Sequence, residues 1–182
     1  MIGLIVCINK ANYIGKNNRL LYDNKEDMEY FTKVTKKYHY CLIGKNTFDS
    51  LPKPLEDREN VVIVDDVEDR SLKHYKNVQY IYKHDVFNYL LTKARNNELD
   101  VIVIGGEFVY NLIMNSVNFQ PDELHITVVD DTEKGDTAFP FIDNEKYSLV
   151  SRKKIDYSRK VKNNITSLYD AEIRVYKRKV VE

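Results

Sequence analysis

The chain of 182 residues has no tryptophan, two cysteines and no excess of either charge. Its 28 Lys and Arg balance 28 Asp and Glu. No general attraction to nucleic acid or to an anionic membrane is therefore expected, and any anion site must be local. No stretch approaches the roughly 20 uncharged apolar residues of a membrane span. Met1-Ile2-Gly3-Leu4-Ile5-Val6 also lacks the basic lead and cleavage site of a signal peptide. These absences point to a cytoplasmic protein. Cys7 and Cys41 fall in apolar runs, where a thiol behaves as a small hydrophobe, so no disulfide is expected. The Asn164-Ile165-Thr166 sequon then carries little meaning. His39, His74, His84 and His125 show no metal spacing among themselves or with the cysteines, and no metal is expected. No repeat or linker divides the chain, so one domain over 1–182, working as a monomer, is the expectation.

What is present is a series of short, β-branched apolar runs: Ile2 to Ile8, Tyr38 to Ile43, Asn60 to Val64, Val78 to Ile81, Val101 to Ile104 and Glu123 to Val129. Continuous runs of this kind suit strands covered on both faces, as in a parallel sheet with helical crossovers. Helices are predicted from about Asn24 to Lys36, with Met28, Phe31 and Thr35 on one face, and from Lys45 to a point before Pro52. Two more are predicted over Asp85 to Asn96, capped by Asp85, and Glu107 to Asn115. Tyr147 to Ile155 and Glu172 to Lys179 alternate and read as an antiparallel pair at the sheet edge.

Two strand ends run into helix starts through small residues, Ile43-Gly44-Lys45-Asn46-Thr47 and Ile104-Gly105-Gly106-Glu107. Glycine lets a ligand approach the backbone, and the free amides of a helix start bind phosphate, so two such openings could hold a dinucleotide. Neither matches Gly-x-Gly-x-x-Gly, and Gly105-Gly106 alone also reads as a tight turn. Asp27 lies in the first helix near its apolar face; spacing leaves open whether it is a surface residue or a buried acid bonded to a ligand, with desolvation raising its pKa. Arg58 reads either as an exposed loop arginine paired with a neighbouring acid or as a planar fork for a ligand carboxylate.

In order along the chain stand Ile14-Gly15 with Asn18 and Leu20; Asp27 with Phe31 and Thr35; Gly44-Lys45-Asn46-Thr47-Phe48-Asp49-Ser50; Pro54-Leu55 with Arg58 and Asn60; Ile104-Gly105-Gly106 with Val109-Tyr110; and Gly135-Asp136-Thr137 before Phe139-Pro140. This sequence of motifs resembles the dihydrofolate reductases over nearly the whole chain. The resemblance implies an α/β fold with a central, mainly parallel eight-stranded sheet, flanking helices and an antiparallel C-terminal edge strand. It implies hydride transfer from NADPH to 7,8-dihydrofolate, with Asp27 binding the pterin and supporting its protonation through water. By the same resemblance Ile5, Cys7, Met28, Phe31, Leu51, Leu55, Ile104 and Tyr110 surround pterin and benzoyl groups. Arg58 holds the glutamate α-carboxylate, and Thr127 backs Asp27. By the same resemblance the segment Gly15 to Tyr22 is a mobile loop that closes over nicotinamide with Leu20 as its apolar lid, and Cys7, Ile14, Gly15, Asn18 and Leu20 contact the cofactor. Gly44, Lys45, Asn46, Thr47, Gly105, Gly106, Glu107, Phe108, Val109 and Tyr110 surround phosphates and ribose, with a cis peptide between Gly105 and Gly106.

Three departures stand out. Leu21-Tyr22 replaces Pro-Trp, although Tyr22 still offers a hydroxyl to the water chain. Cys7 replaces alanine. Val64-Asp65 stands where Ser or Thr is common; an acid there repels a ribose phosphate and accepts from a free ribose hydroxyl, so NADPH is favoured with NADH as the alternative. A related pyrimidine reductase of riboflavin synthesis shares the architecture, but Asp27 and Arg58 argue against it. A nucleotide-binding protein that kept the fold without the chemistry is the reading from another class.

Overall fold

The computed structural model describes residues 1–17, 19–21, 24–160 and 166–180, with backbone alone at 19, 157–160 and 166–168. The elements in chain order are β1 (Ile2–Asn9), β2 (Tyr13–Lys16), β3 (Arg19–Leu20), α1 (Lys25–Thr35), β4 (Tyr40–Gly44), α2 (Lys45–Ser50), β5 (Glu59–Val64) and β6 (Val78–Tyr82). There follow α3 (Val86–Arg95), β7 (Val101–Gly105), α4 (Glu107–Met114), β8 (Glu123–Val129), β9 (Thr137–Ala138), β10 (Tyr147–Lys160) and β11 (Thr166–Arg178).

The apolar runs pair as a sheet of eight strands among the described residues, in the order β10-β11-β8-β1-β7-β4-β5-β6. Strands β8, β1, β7, β4, β5 and β6 are mutually parallel. At the C-terminal edge β11 runs antiparallel to β8, and β10 antiparallel to β11. Alternate side chains divide the core. Ile2, Leu4, Val6, Leu42 and Val103 pack on one face with Leu90 of α3 and Ile113 of α4. Ile5, Cys41, Ile43, Val62 and Ile102 pack on the other with Val34 of α1 and Phe48 of α2. Cys7 and Cys41 sit on β1 and β4, with β7 between them. Strand spacing then separates the two by about 10 Å, too far for a disulfide. Burial also pushes the Cys41 thiol up to about 12.

Two details of the helices differ from the sequence expectation. Helix α1 presents Tyr30, Phe31, Val34 and Thr35 inward, and Met28 stands 48% exposed. The inward stripe follows the i, i+3, i+4, i+7 rhythm from position 27, which places Asp27 on it and Met28 at its margin. Asp85 precedes α3 but makes no side-chain cap bond, because a short 3-10 turn over Lys83–Asp85 leads into the helix. Asn24, by contrast, caps α1 by accepting from the Asp27 amide at 3.0 Å, and its own amide donates to the Asp156 carbonyl at 3.1 Å. A small sheet in the order β3-β2-β9, too short for any sequence period, was not anticipated.

The segment before β5 is fastened by two asparagines. Fully buried Asn60 donates to the Leu55, Arg58 and Asn77 carbonyls at 2.9, 3.1 and 3.1 Å, and its oxygen accepts from the Leu55 amide at 3.0 Å. Asn77 donates to the same Leu55 and Arg58 carbonyls. Removing the Asn60 side chain deletes three bonds to carbonyls that keep another donor, and it leaves the Leu55 amide without its acceptor, an unsatisfied donor costing about 1–3 kcal/mol. Asn60→Ala is therefore expected to cost roughly 2–4 kcal/mol, read as a lower midpoint in urea unfolding; a change under about 0.5 kcal/mol contradicts this account.

Candidate active site

Asp27 enters the site because the cap at Asn24 starts α1 three residues earlier and sets the helix phase. Its carboxyl is half-buried against β8, where Thr127 donates to Oδ1 at 2.5 Å. Burial raises the carboxyl pKa from the ordinary 3.8, and the Thr127 bond opposes the rise. Removal from water thus outweighs the bond, and the acid keeps its proton to higher pH than an exposed aspartate. Ile5, Phe31, Leu51, Leu55 and Ile104 form one apolar cluster on this face of the sheet. Cys7, directly opposite Thr127 in the β1–β8 register, lies half-buried beside it.

Arg58 lies at the other end of α1. It is 7% exposed and anchored on one side: Nε donates to the Glu56 carbonyl at 2.8 Å and Nη1 to Thr35 Oγ1 at 2.6 Å. Thr35 donates its own hydroxyl hydrogen bond to the Phe31 carbonyl at 2.8 Å, so it accepts from Arg58 and donates to the helix. Its buried arginine leaves Nη2 with no partner among the described residues. The planar fork is thereby fixed with a donor edge still available. Thr35, Asn60 and Asn77, which place Arg58, were not singled out for this from sequence; the signal for Thr35 was its i+8 spacing from Asp27.

The two glycine-bearing strand ends lie side by side, since β4 and β7 are neighbours with Ile43 opposite Gly105. Each runs straight into a helix start, α2 after Gly44 and α4 after Gly106. The peptide between Gly105 and Gly106 is cis, and Gly105 has φ +117°. A Cβ on Gly106 would come within 2.8 Å of Thr47 Oγ1, and one on Gly105 within 2.9 Å of Tyr110 Oη. Glycine at both positions leaves this backbone surface bare, an arrangement that could hold a phosphate on backbone amides without side-chain charge. Tyr110 is buried and donates to the Ile5 carbonyl at 2.8 Å, so it joins α4 to the apolar cluster. Val109 is buried, Phe108 is exposed, and the Glu107 carboxylate accepts from the Ala138 amide at 3.1 Å. Val64 is buried, whereas the Asp65 carboxylate is exposed and paired with Lys83 at 2.7 Å. Lys45 is paired with Asp49 one turn along α2, and Asn46 is exposed.

The segment that carries Leu20 is clasped by residues more than a hundred positions later. Gly15 pairs with Leu20 and with Thr137. Asp136 donates its amide to the Gly15 carbonyl at 3.1 Å and accepts from the Asn17 amide at 2.8 Å. A Cβ on Gly135 would lie 2.3 Å from the Gly15 carbonyl oxygen, so the two backbones touch. Ile14 is buried, and Leu20 is 61% exposed, an apolar side chain open to a ligand. Asn18 and Tyr22 lie outside the described residues. A cavity of about 230 Å³ lined by Ile8, Asn9, Ile126, Val128, Phe141 and Arg174 opens elsewhere. Its strand residues alternate with Cys7 and Thr127, which puts it on the opposite face of the sheet from Asp27. Among the described residues no group of His, Cys, Asp and Glu could hold a metal ion. No described helix is long and apolar enough to cross a membrane.

A half-buried acid on a helix, beside paired glycine-bearing strand ends of a mainly parallel sheet, defines an α/β protein with one composite site. The family model for dihydrofolate reductase matches residues 1–174. The dihydrofolate reductase of Ureaplasma parvum is 36% identical over 118 residues, 63% of this chain and 68% of that one. The dihydrofolate reductase of Buchnera aphidicola subsp. Baizongia pistaciae is 28% identical over 163 residues, 90% of this chain and 92% of that one. A solved structure of dihydrofolate reductase from Enterococcus faecalis, complexed with NADP(H) and RAB-propyl, shares the fold with a TM-score of 0.74 at 24% identity. The match spans 99% of this chain and 97% of that one. The chain belongs to the dihydrofolate reductase family.

The raised pKa of Asp27 links its ionisation to stability. Its folded pKa lies above the unfolded one, so the native state holds the proton more tightly between the two. Stability from this group is full below the ordinary carboxylate range and falls as pH rises through the folded pKa. Asp27→Asn, which removes the charge and keeps an acceptor for Thr127, is expected to stabilise the ligand-free chain at pH 8 and to do little at pH 3. Urea unfolding at the two pH values checks this. A destabilisation at pH 8 would contradict it.

Proposed function

We propose that the chain reduces 7,8-dihydrofolate to tetrahydrofolate with NADPH, as a cytoplasmic monomer supplying one-carbon metabolism and thymidylate synthesis. The observation that carries this reading is that one helix holds both ends of the site. Asp27 and the Thr35 anchor of Arg58 lie eight residues apart on the inward face of α1, about 12 Å along the axis. That arrangement suits a long ligand with a hydrogen-bonding heterocycle at one end and a carboxylate at the other.

In this reading Asp27 bonds the amide and amino edge of the pterin, while Ile5, Cys7, Met28, Phe31, Leu51, Leu55 and Ile104 wall the rings and Arg58 takes the α-carboxylate on its open edge. The bound nicotinamide supplies the hydride. Gly44, Thr47, Gly105 and Gly106 present bare backbone to its phosphates, and Leu20 closes over the ring to exclude water. Asp27 keeps a proton available nearer neutral pH and passes it through water to the ring nitrogen beside the carbon that receives hydride. At the ribose end the charge of Asp65 is answered by Lys83, which reduces its repulsion of a phosphate and supports NADPH over NADH.

Following reduced-cofactor consumption with dihydrofolate, NADPH and NADH in parallel, tests the reading. NADPH should be used faster. Asp27→Asn should lower turnover at neutral pH by about 10²-fold or more. Arg58→Leu should mainly weaken dihydrofolate binding, by roughly 10- to 100-fold in KM, the worth of a charge-assisted bond. Consumption with neither cofactor would overturn the assignment, and faster use of NADH would overturn the cofactor choice.

A further inference from the structure

We propose that Tyr30 and His125 are positioning residues for Asp27, forming a second fastening between α1 and the sheet; the inference rests on the reading of Asp27 as the acid that faces the substrate. Tyr30 lies one turn beyond Asp27 on the inward stripe of α1, and His125 lies two residues before Thr127 on β8, so both pairs span the same gap. The Tyr30 hydroxyl is 2.7 Å from His125 Nδ1, with ring centroids 5.9 Å apart and the planes tilted by 55°. His125 Nε2 is 3.4 Å from Glu123 Oε2, and the second oxygen of Glu123 is 3.4 Å from Lys177 Nζ on β11. Between the Asn24 and Thr35 bonds at its ends, a helix held at mid-length by one bond can still roll about that contact. Two bonds a turn apart fix its roll, and with it the depth of the Asp27 carboxyl.

Glu123 selects the tautomer. A neutral imidazole with Nε2–H toward that carboxylate leaves Nδ1 as acceptor for the Tyr30 hydroxyl. The neutral state is favoured because His125 is buried; desolvation lowers its pKa, against the opposing pull of Glu123, while the Tyr30 hydroxyl is held up at about 12, chiefly by burial. The charged and titratable groups facing this pair are Asp27 on α1, Lys37 just beyond it, Tyr38, Glu123 on β8 and Lys177 on β11. Burial thus favours the uncharged form of both members, the state in which the hydroxyl can donate to Nδ1.

The two fastenings have opposite signatures. Thr127 donates a hydrogen bond to the carboxylate and so favours its charged form; its loss raises the Asp27 pKa. Loss of the Tyr30 hydroxyl loosens α1, admits water to the carboxyl and leaves a buried Nδ1 that takes up water or a proton. Each of these favours the carboxylate and lowers the Asp27 pKa.

Carbon-detected NMR titration of the labelled Asp27 carboxyl in the ligand-free chain reads this without any turnover, and the pH dependence of kcat with NADPH and dihydrofolate reads it in the reaction. In Tyr30→Phe and His125→Phe the Asp27 midpoint and the alkaline limb of kcat should both move to lower pH. Turnover at neutral pH should fall by about threefold or more, with KM changed less. Thr127→Val should move the midpoint upward. His125→Asn, whose amide oxygen occupies the place of Nδ1, should keep the parent midpoint. An Asp27 titration unmoved in Tyr30→Phe, with only stability lost, overturns the proposal, as does His125→Asn behaving like His125→Phe. A parent chain that titrates as expected but consumes no cofactor overturns the functional reading instead.

Discussion

The site depends on a single contact, the hydrogen bond from Thr127 to the carboxyl of Asp27 across the gap between α1 and β8. An aspartate drawn out of water needs a partner, and three influences act on this one. It sits in the first turn of a helix, where the dipole favours negative charge, and it accepts from Thr127. Desolvation is nevertheless the largest influence, and the acid ends with a raised pKa. Without the bond, burying the group would leave an unsatisfied carboxyl against the sheet. Without the burial it would be an ordinary surface acid, with nothing to hold its proton above the usual carboxylate range.

Helix α1 is the frame on which this balance is mounted. The Asn24 cap fixes where the helix begins, and the hydroxyl of Thr35 accepts a hydrogen bond from Arg58 near where it ends. Between these points the inward stripe packs on the strands. The arginine is set from behind as well, because Asn60 and Asn77 bind the carbonyls of the segment that carries it. Polar groups that would be liabilities in a core are here satisfied one by one, and each bond made also fixes the orientation of Asp27 or Arg58.

Much of the parallel sheet was legible because six apolar runs separated by helical segments leave few arrangements open. The order of the motifs then pointed to the family. Asp27 was harder to place: the apolar side chain of Met28 suggests an inward face one position away from the true one, and only the run Tyr30, Phe31, Val34, Thr35 read together gives the phase. The burial of Arg58 could not be read, since it depends on Asn77, an unremarkable loop residue 19 positions later in sequence. Likewise the acid at Asp65 reads as a bare charge until parallel pairing of β5 with β6 brings Lys83 beside it. Strands of two residues, such as β3 and β9, carry no period at all; their pairing is decided by contact with distant backbone.

The clasp on the Leu20 segment also bears on how the molecule is made. Residues 15 to 20 leave the ribosome early, yet the glycine, aspartate and short strand that hold them lie at 135 to 138. Strand β1 likewise waits for β7 and β8 as its neighbours. During synthesis the N-terminal third of the chain therefore exists with the Leu20 segment unsecured and its first strand unpaired, and contacts of such long sequence separation form late and slowly. The part of the protein that would shut out water from the reaction is among the last to be completed, so a nascent chain has no closed site until most of its length has been translated.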